Sequence, residues 1–149
     1  MDNTIDTIDT NDTNNNLIIT ACKRVFENLG IGHTERVYHK ALVYELNCQG
    51  LNIDTEMNIV VKYEDSKGKI HNLESLRIDI FIHSLDIILE LKAIQRKIQP
   101  QEIAQIKKYF NVLNKDKINV NYGIIINFPQ PSTKEILNNI EFMIVENKI

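Results

Sequence analysis

From Asn16 onward, apolar residues recur at spacings of three and four: Ile18, Cys22, Val25, Phe26 and Leu29. That period predicts an amphipathic helix, and Gly30 supplies its C-terminal stop. Ile31-Gly32-His33-Thr34 reads as a short loop, with Thr34 as the N-cap of a second helix. Val37, Ala41, Tyr44 and Cys48 form one stripe along that helix, and Gly50 ends it. The period then changes. Met57, Ile59, Val61 and Tyr63 alternate with polar or small partners, as in a strand, and Ser66 to Lys69 is a turn. A second alternation puts Leu76, Ile78, Ile80 and Ile82 on one face and Arg77, Asp79 and Phe81 on the other. After a short connection from His83 to Asp86 comes Ile87-Ile88-Leu89-Glu90-Leu91-Lys92, a third strand. Pro100 opens a third helix, where a missing N–H costs nothing, with Ile103, Ile106, Phe110 and Leu113 as its buried stripe. The near-continuous apolar run from Tyr122 to Phe128 suits a strand covered on both faces. Ile140 to Val145 reads as a last strand.

The order is therefore ααβββαββ. It predicts an α/β domain with a mixed sheet of about four to five strands flanked by helices. With 149 residues, one domain over residues 16–149 accounts for the chain. Residues 1–15 are nearly all Asp, Asn, Thr and Ile, with little to bury and no helical period, and are expected to be a disordered polar tail.

Composition narrows the class. Apolar content of 43% and charged content of 25% are ordinary for a globular protein. No run approaches the roughly 18 apolar residues of a membrane span, and the polar N-terminus lacks the apolar centre of a signal peptide. No membrane association is expected. Cys22 and Cys48 sit at apolar helix positions and read as a reduced, buried pair, pointing to an intracellular rather than secreted protein, in cytoplasm or nucleus. There is no CxxC, and no Cys/His pair has zinc spacing. The formal net charge of −3 argues against broad charge-driven coating of nucleic acid. It leaves room for an acidic metal site with cations around it.

The candidate chemistry lies in the second and third strands. Glu90 and Lys92 are two apart, so they share a face. If the two strands pair about the Ser84–Leu85 bond, Ile82 lies opposite Ile87 and Asp79 lies opposite Glu90. Two facing carboxylates repel unless something compensates them, and a divalent cation would. A one-residue slip would separate them onto opposite faces. Mg²⁺ suits such a site, since one or two carboxylates with water and substrate phosphate commonly hold it. An exposed strand face with ordinary polar residues fits the same letters.

Gly32-His33-Thr34-Glu35-Arg36-Val37-Tyr38 fits G-x-x-E-x-x-Y. Arg77-Ile78-Asp79, Glu90-Leu91-Lys92-Ala93, Ala104-Gln105 with Tyr109, and Gly123 to Phe128 follow in order. The chain from about Leu17 to Val145 thus resembles the GxxExxY proteins of the PD-(D/E)XK nuclease superfamily. The resemblance implies a restriction-endonuclease-like core, a metal site of Asp79, Glu90 and the Leu91 backbone carbonyl, and Mg²⁺ or Mn²⁺ as cofactor. Glu35 would approach the metal directly or through water; a carboxylate is also favourable at a helix N-terminus for its own sake. Lys92 would be the catalytic lysine. Gln105 and Tyr109, one turn apart, would border the site and touch Lys92 or the nucleic acid, with plain packing as the alternative. Tyr38 is expected to pack against the sheet. Pro129-Gln130-Pro131 departs from the small residues such proteins carry after Asn-Phe.

The function implied is divalent-metal-dependent hydrolysis of phosphodiester bonds in nucleic acid, with DNA ahead of RNA and a homodimer as a possible assembly. The alternative is a catalytically idle nuclease-like fold that binds nucleic acid or serves assembly. Arg96, Lys97, Lys107, Lys108, Lys115 and Lys117 follow the site as a candidate phosphate-tracking patch or as solvated helix faces. The intact set Glu35, Asp79, Glu90 and Lys92 favours the enzyme.

Overall fold

The computed structural model describes residues 4–5, 12–131 and 139–148. In chain order its elements are β1 (Thr4–Ile5), α1 (Thr13–Leu29), α2 (Glu35–Cys48), β2 (Ile53–Glu64), β3 (Ile70–Ile82), β4 (Ile87–Lys92), α3 (Pro100–Lys115), β5 (Tyr122–Asn127) and β6 (Glu141–Glu146). The sheet runs β1-β6-β5-β4-β3-β2. Only β4 and β5 pair in parallel; the other neighbours are antiparallel. Five substantial strands flanked by helices on both faces make the mixed α/β sheet that the periodicity predicts, with the two-residue β1 added at the edge.

Two apolar layers hold it. On one face Ile18, Cys22, Tyr38, Leu42 and Leu46 of α1 and α2 meet Ile80, Leu89, Leu91, Ile124 and Phe128. On the other Ile106, Tyr109, Phe110 and Leu113 of α3 meet Ile78, Phe81, Ile88 and Ile125. The central strand β4 is therefore covered on both sides, which is why its sequence is apolar almost throughout. Ile87, Leu89 and Leu91 face α1 and α2, and Ile88 faces α3. Glu90, next in the Ile88 row, is the one acidic residue in this strand and is buried.

Several expectations shift. Helix α1 begins at Thr13, because Asp12 caps it: its carboxylate accepts from the N–H groups of Asn14 (2.8 Å) and Asn15 (3.2 Å). This local cap outweighs the polar composition. Asn15 is buried, and its Oδ1 accepts from Tyr122 Oη at 2.7 Å. The expected tail of residues 1–15 thus yields its last three residues to the helix. Thr4 and Ile5 pair with Val145 and Ile144, and the rest of the tail lies outside the described residues. On α2 the buried stripe is Tyr38, Leu42 and Leu46. The expected stripe is displaced by one position, with Val37 and Tyr44 exposed. Both series have helical spacing; the contact with Phe128 decides between them. Cys48 is exposed and only Cys22 is buried, so the two thiols do not form a buried pair. Along β3 the alternation breaks at Asp79: Ile80 and Ile82 pack on the α1–α2 side, whereas Ile78 packs with the α3 cluster. Opposite this break, Glu56 has φ 53°.

Tyr38 ties the second helix to the sheet. Its ring stacks on Phe128 at 4.2 Å with 3° between planes, and its hydroxyl donates to Gly30 O at 2.6 Å. Among the described residues no helix is long and apolar enough to cross a membrane. Chemical denaturation should separate the two contributions of Tyr38. Tyr38→Phe should cost about 0.5–1.5 kcal/mol for each of the two hydrogen bonds lost, to Gly30 O and from His33 N, and Tyr38→Ala should cost more again, by about 3–5 kcal/mol for the emptied core. Equal costs would show that the ring contributes nothing beyond its hydroxyl.

Candidate active site

Strands β3 and β4 pair as Ile80 with Leu89, Phe81 with Ile88 and Ile82 with Ile87. This is the register deduced from the hairpin, and Asp79 and Glu90 occupy the next step. There the backbone ladder gives way to a side chain: Asp79 Oδ2 accepts the Leu91 N–H at 2.8 Å. On the other edge of β4, Lys92 O accepts the Phe128 N–H at 2.9 Å. Alternation along the strand therefore turns the Leu91 amide and carbonyl toward β3 and Asp79.

Glu90 is 3% exposed. Lys92 Nζ lies 3.4 Å from its Oε2, but Oε1 is buried with no hydrogen-bond partner. Burial first, then the charge of Asp79, pushes the Glu90 carboxyl up to about 8 despite Lys92. The Asp79 carboxyl is also raised, chiefly by burial, although the Leu91 amide opposes this. Two carboxyls raised by burial and a buried oxygen of Glu90 without a hydrogen-bond partner suit a cation-binding position.

Lys92 is held from the other side by α3. Its Nζ donates to Gln105 Oε1 at 2.9 Å, Gln105 Nε2 donates to Tyr109 Oη at 2.9 Å, and Tyr109 Oη donates to Arg77 O at 3.0 Å. Gln105 and Tyr109 thus form a chain from the lysine back to β3, and Tyr109 is also buried in the α3 core. Glu35 stands exposed on the first turn of α2. Its carboxyl is raised by partial burial and then by Asp79, with Lys92 and His39 opposing. Among the described residues no three His, Cys, Asp or Glu side chains come together as a ready-made metal cage. The arrangement fits a cation held by two carboxylates, a carbonyl and water, the coordination Mg²⁺ accepts, with Glu35 farther out.

Two further residues contribute to the frame of the site, and the first was not singled out in the sequence. His39 lies one turn after Glu35, and its Nε2 bonds Asp79 O at 3.1 Å. The i, i+4 spacing could have paired it with Glu35. Asn127 ends the apolar run of β5, is buried, and clasps the segment after Lys92 by accepting from Ile94 N and donating to Arg96 O. Its place at the end of the strand was legible in the sequence; the clasp on the segment after Lys92 was not. The departure at Pro129-Gln130-Pro131 finds a role as well. Gln130 Nε2 donates to His33 O at 2.6 Å, steadying the loop that leads into Glu35. The basic residues after the site do not form one free patch, since Arg96 pairs with Glu102 and Lys108 with Glu74.

A family model described as the PD-(D/E)XK nuclease superfamily matches residues 12–139. No curated protein matches the chain. Among solved structures, the crystal structure of SSO0001 superposes with a TM-score of 0.55 at 12% identity, over 95% of this chain and 81% of that one. Likeness at that identity speaks for the fold alone.

The raised Glu90 carboxyl sets the sign of a pH effect. Folding favours its protonated form, so this contribution is complete below about 4.5 and is lost as pH rises through about 8. In EDTA, the wild-type melting temperature should fall from pH 5 to pH 8.5, and Glu90→Gln should flatten much of that slope. Circular dichroism melts read this directly; an unchanged slope in the variant would remove Glu90 as its source.

Proposed function

The chain belongs to the PD-(D/E)XK nuclease superfamily, and from its site we propose that it is a divalent-metal-dependent nuclease of the GxxExxY group, cutting phosphodiester bonds of nucleic acid. The buried, unpartnered Oε1 of Glu90 beside Asp79 carries this reading. Asp79, Glu90 and the Leu91 carbonyl would hold Mg²⁺ or Mn²⁺, with Glu35 reaching it through water. The bound ion would polarise the scissile phosphate and lower the pKa of a coordinated water.

The chain's own groups do the positioning. Lys92, held by Glu90 and Gln105, offers a fixed ammonium that orients the attacking water and offsets charge on the phosphate. Tyr109 anchors Gln105, and for the lysine to swing away it must break its hydrogen bond to Gln105 and its ion pair with Glu90. DNA is the favoured substrate, with RNA as the comparison, and a homodimer would let two sites reach two strands. The free thiols of Cys22 and Cys48 support an intracellular setting, cytoplasmic or nuclear.

Cleavage of labelled DNA and RNA with Mg²⁺ or Mn²⁺ tests the reading. Asp79→Ala and Glu90→Gln should abolish cutting. Lys92→Ala should slow it on the order of 10²–10³-fold, the usual cost of one transition-state donor, while ion binding persists. Undiminished cutting by Asp79→Ala would refute the site. A wild type that binds nucleic acid and ions but never cuts would leave an idle binding module instead.

A further inference from the structure

A groove of about 610 Å³ opens beside the site, between α2 and the β2–β3 pair. It touches the site through two of its walls. His39 bonds Asp79 O at 3.1 Å, and Arg77 O receives the Tyr109 hydroxyl at 3.0 Å. Along α2, Arg36, Lys40 and Tyr44 are spaced four apart, so they form one ridge on its wall. Arg77 faces them from β3, loosely paired with Glu56 at 3.8 Å. Arg36 and Lys40 have no ion-pair partner among the described residues. The groove therefore concentrates cations in a chain whose formal net charge is −3. Its wall also carries Tyr44, 73% exposed, whose ring is open to solvent at the groove.

We propose that this groove binds an unpaired stretch of nucleic acid next to the metal site, with Arg36, Lys40 and Arg77 on its phosphates and Tyr44 stacked on a base. The proposal rests on the nuclease reading and adds the form of the substrate. Cations track a backbone and an exposed ring supplies a stacking face, which is how single strands are held. A base stacked in a duplex has both faces covered and must leave the stack to meet a side-chain ring. A cavity of this volume has the size of a small-ligand site, right for one or two splayed nucleotides rather than a helix laid across it.

Fluorescence anisotropy with a labelled 12-nucleotide single strand and the matching blunt duplex tests this in EDTA, where binding is read without cutting. The single strand should bind more tightly than the duplex. Tyr44→Ala should weaken single-strand binding roughly 5- to 150-fold, the range for loss of one stacked base, with little effect on the duplex. Tyr63→Ala, an exposed tyrosine elsewhere on β2, should change nothing. The Arg36→Gln/Lys40→Gln double variant should reduce the salt dependence of single-strand binding by about 1.4 in log–log slope. Equal binding of duplex and single strand, no measurable binding, or an unaffected Tyr44→Ala would each overturn the proposal. Cleavage by the wild type in Mg²⁺ is scored separately. Cutting with an unaffected Tyr44→Ala removes the groove and leaves the nuclease, whereas Tyr44-dependent binding without cutting keeps the groove and removes the nuclease.

Discussion

The fold places a carboxylate where its sheet can least accommodate one. β4 is the covered central strand, and Glu90 lies in the row that packs toward α3, 3% exposed and with one oxygen unbonded. An isolated charge there is expensive, so the surroundings respond. Lys92 comes alongside, Gln105 and Tyr109 hold the lysine, and the carboxyl itself is pushed toward its protonated form. These partial remedies still leave the second oxygen without a partner. A stability-driven design would have put Leu or Ile at this position, and it is this unrelieved burial on which the proposed ligand role of Glu90 rests.

The rest of the architecture positions groups around that residue. The ladder between β3 and β4 stops one step short of Asp79 and Glu90, which frees the Asp79 carboxylate to take the Leu91 amide. The break in β3 alternation occurs at the same residue, so the strand changes which neighbours it packs against where it delivers its carboxylate. Behind it, α2 brings Glu35 and His39 and is pinned to the sheet by Tyr38 on Phe128. In front, α3 brings Gln105 and Tyr109 through the connection that makes β4 and β5 parallel. The groove walled by Arg36, Lys40 and Arg77 uses the same α2, so one helix borders both the carboxylates and the groove.

Much of this was legible in the sequence, for physical reasons that differ by element. β4 and β5 were plain because burial on both faces leaves a continuous apolar run. The register was legible because the short connection between β3 and β4 fixes which residues meet. What failed was choice among equal periodicities. On α2 two apolar stripes fit a helix, and only contact with Phe128 selects Tyr38, Leu42 and Leu46. Helix α1 started early because a single capping carboxylate, Asp12, outweighed an otherwise polar segment. The groove was invisible for a related reason. Its ridge on α2 includes Tyr44, which the periodicity had assigned to the core, and its far wall depends on how β2 and β3 twist past the helix.

The central claim is that Glu90 is buried in order to bind an ion together with Asp79. An anomalous difference map from crystals grown or soaked with Mn²⁺ tests it most directly. A single peak bonded to Glu90 Oε1, an Asp79 oxygen and the Leu91 carbonyl, at roughly 2–2.3 Å as for small hard cations, is the predicted result. A map with no peak at this position, or one in which Mn²⁺ binds elsewhere and Glu90 Oε1 stays unligated, would contradict it.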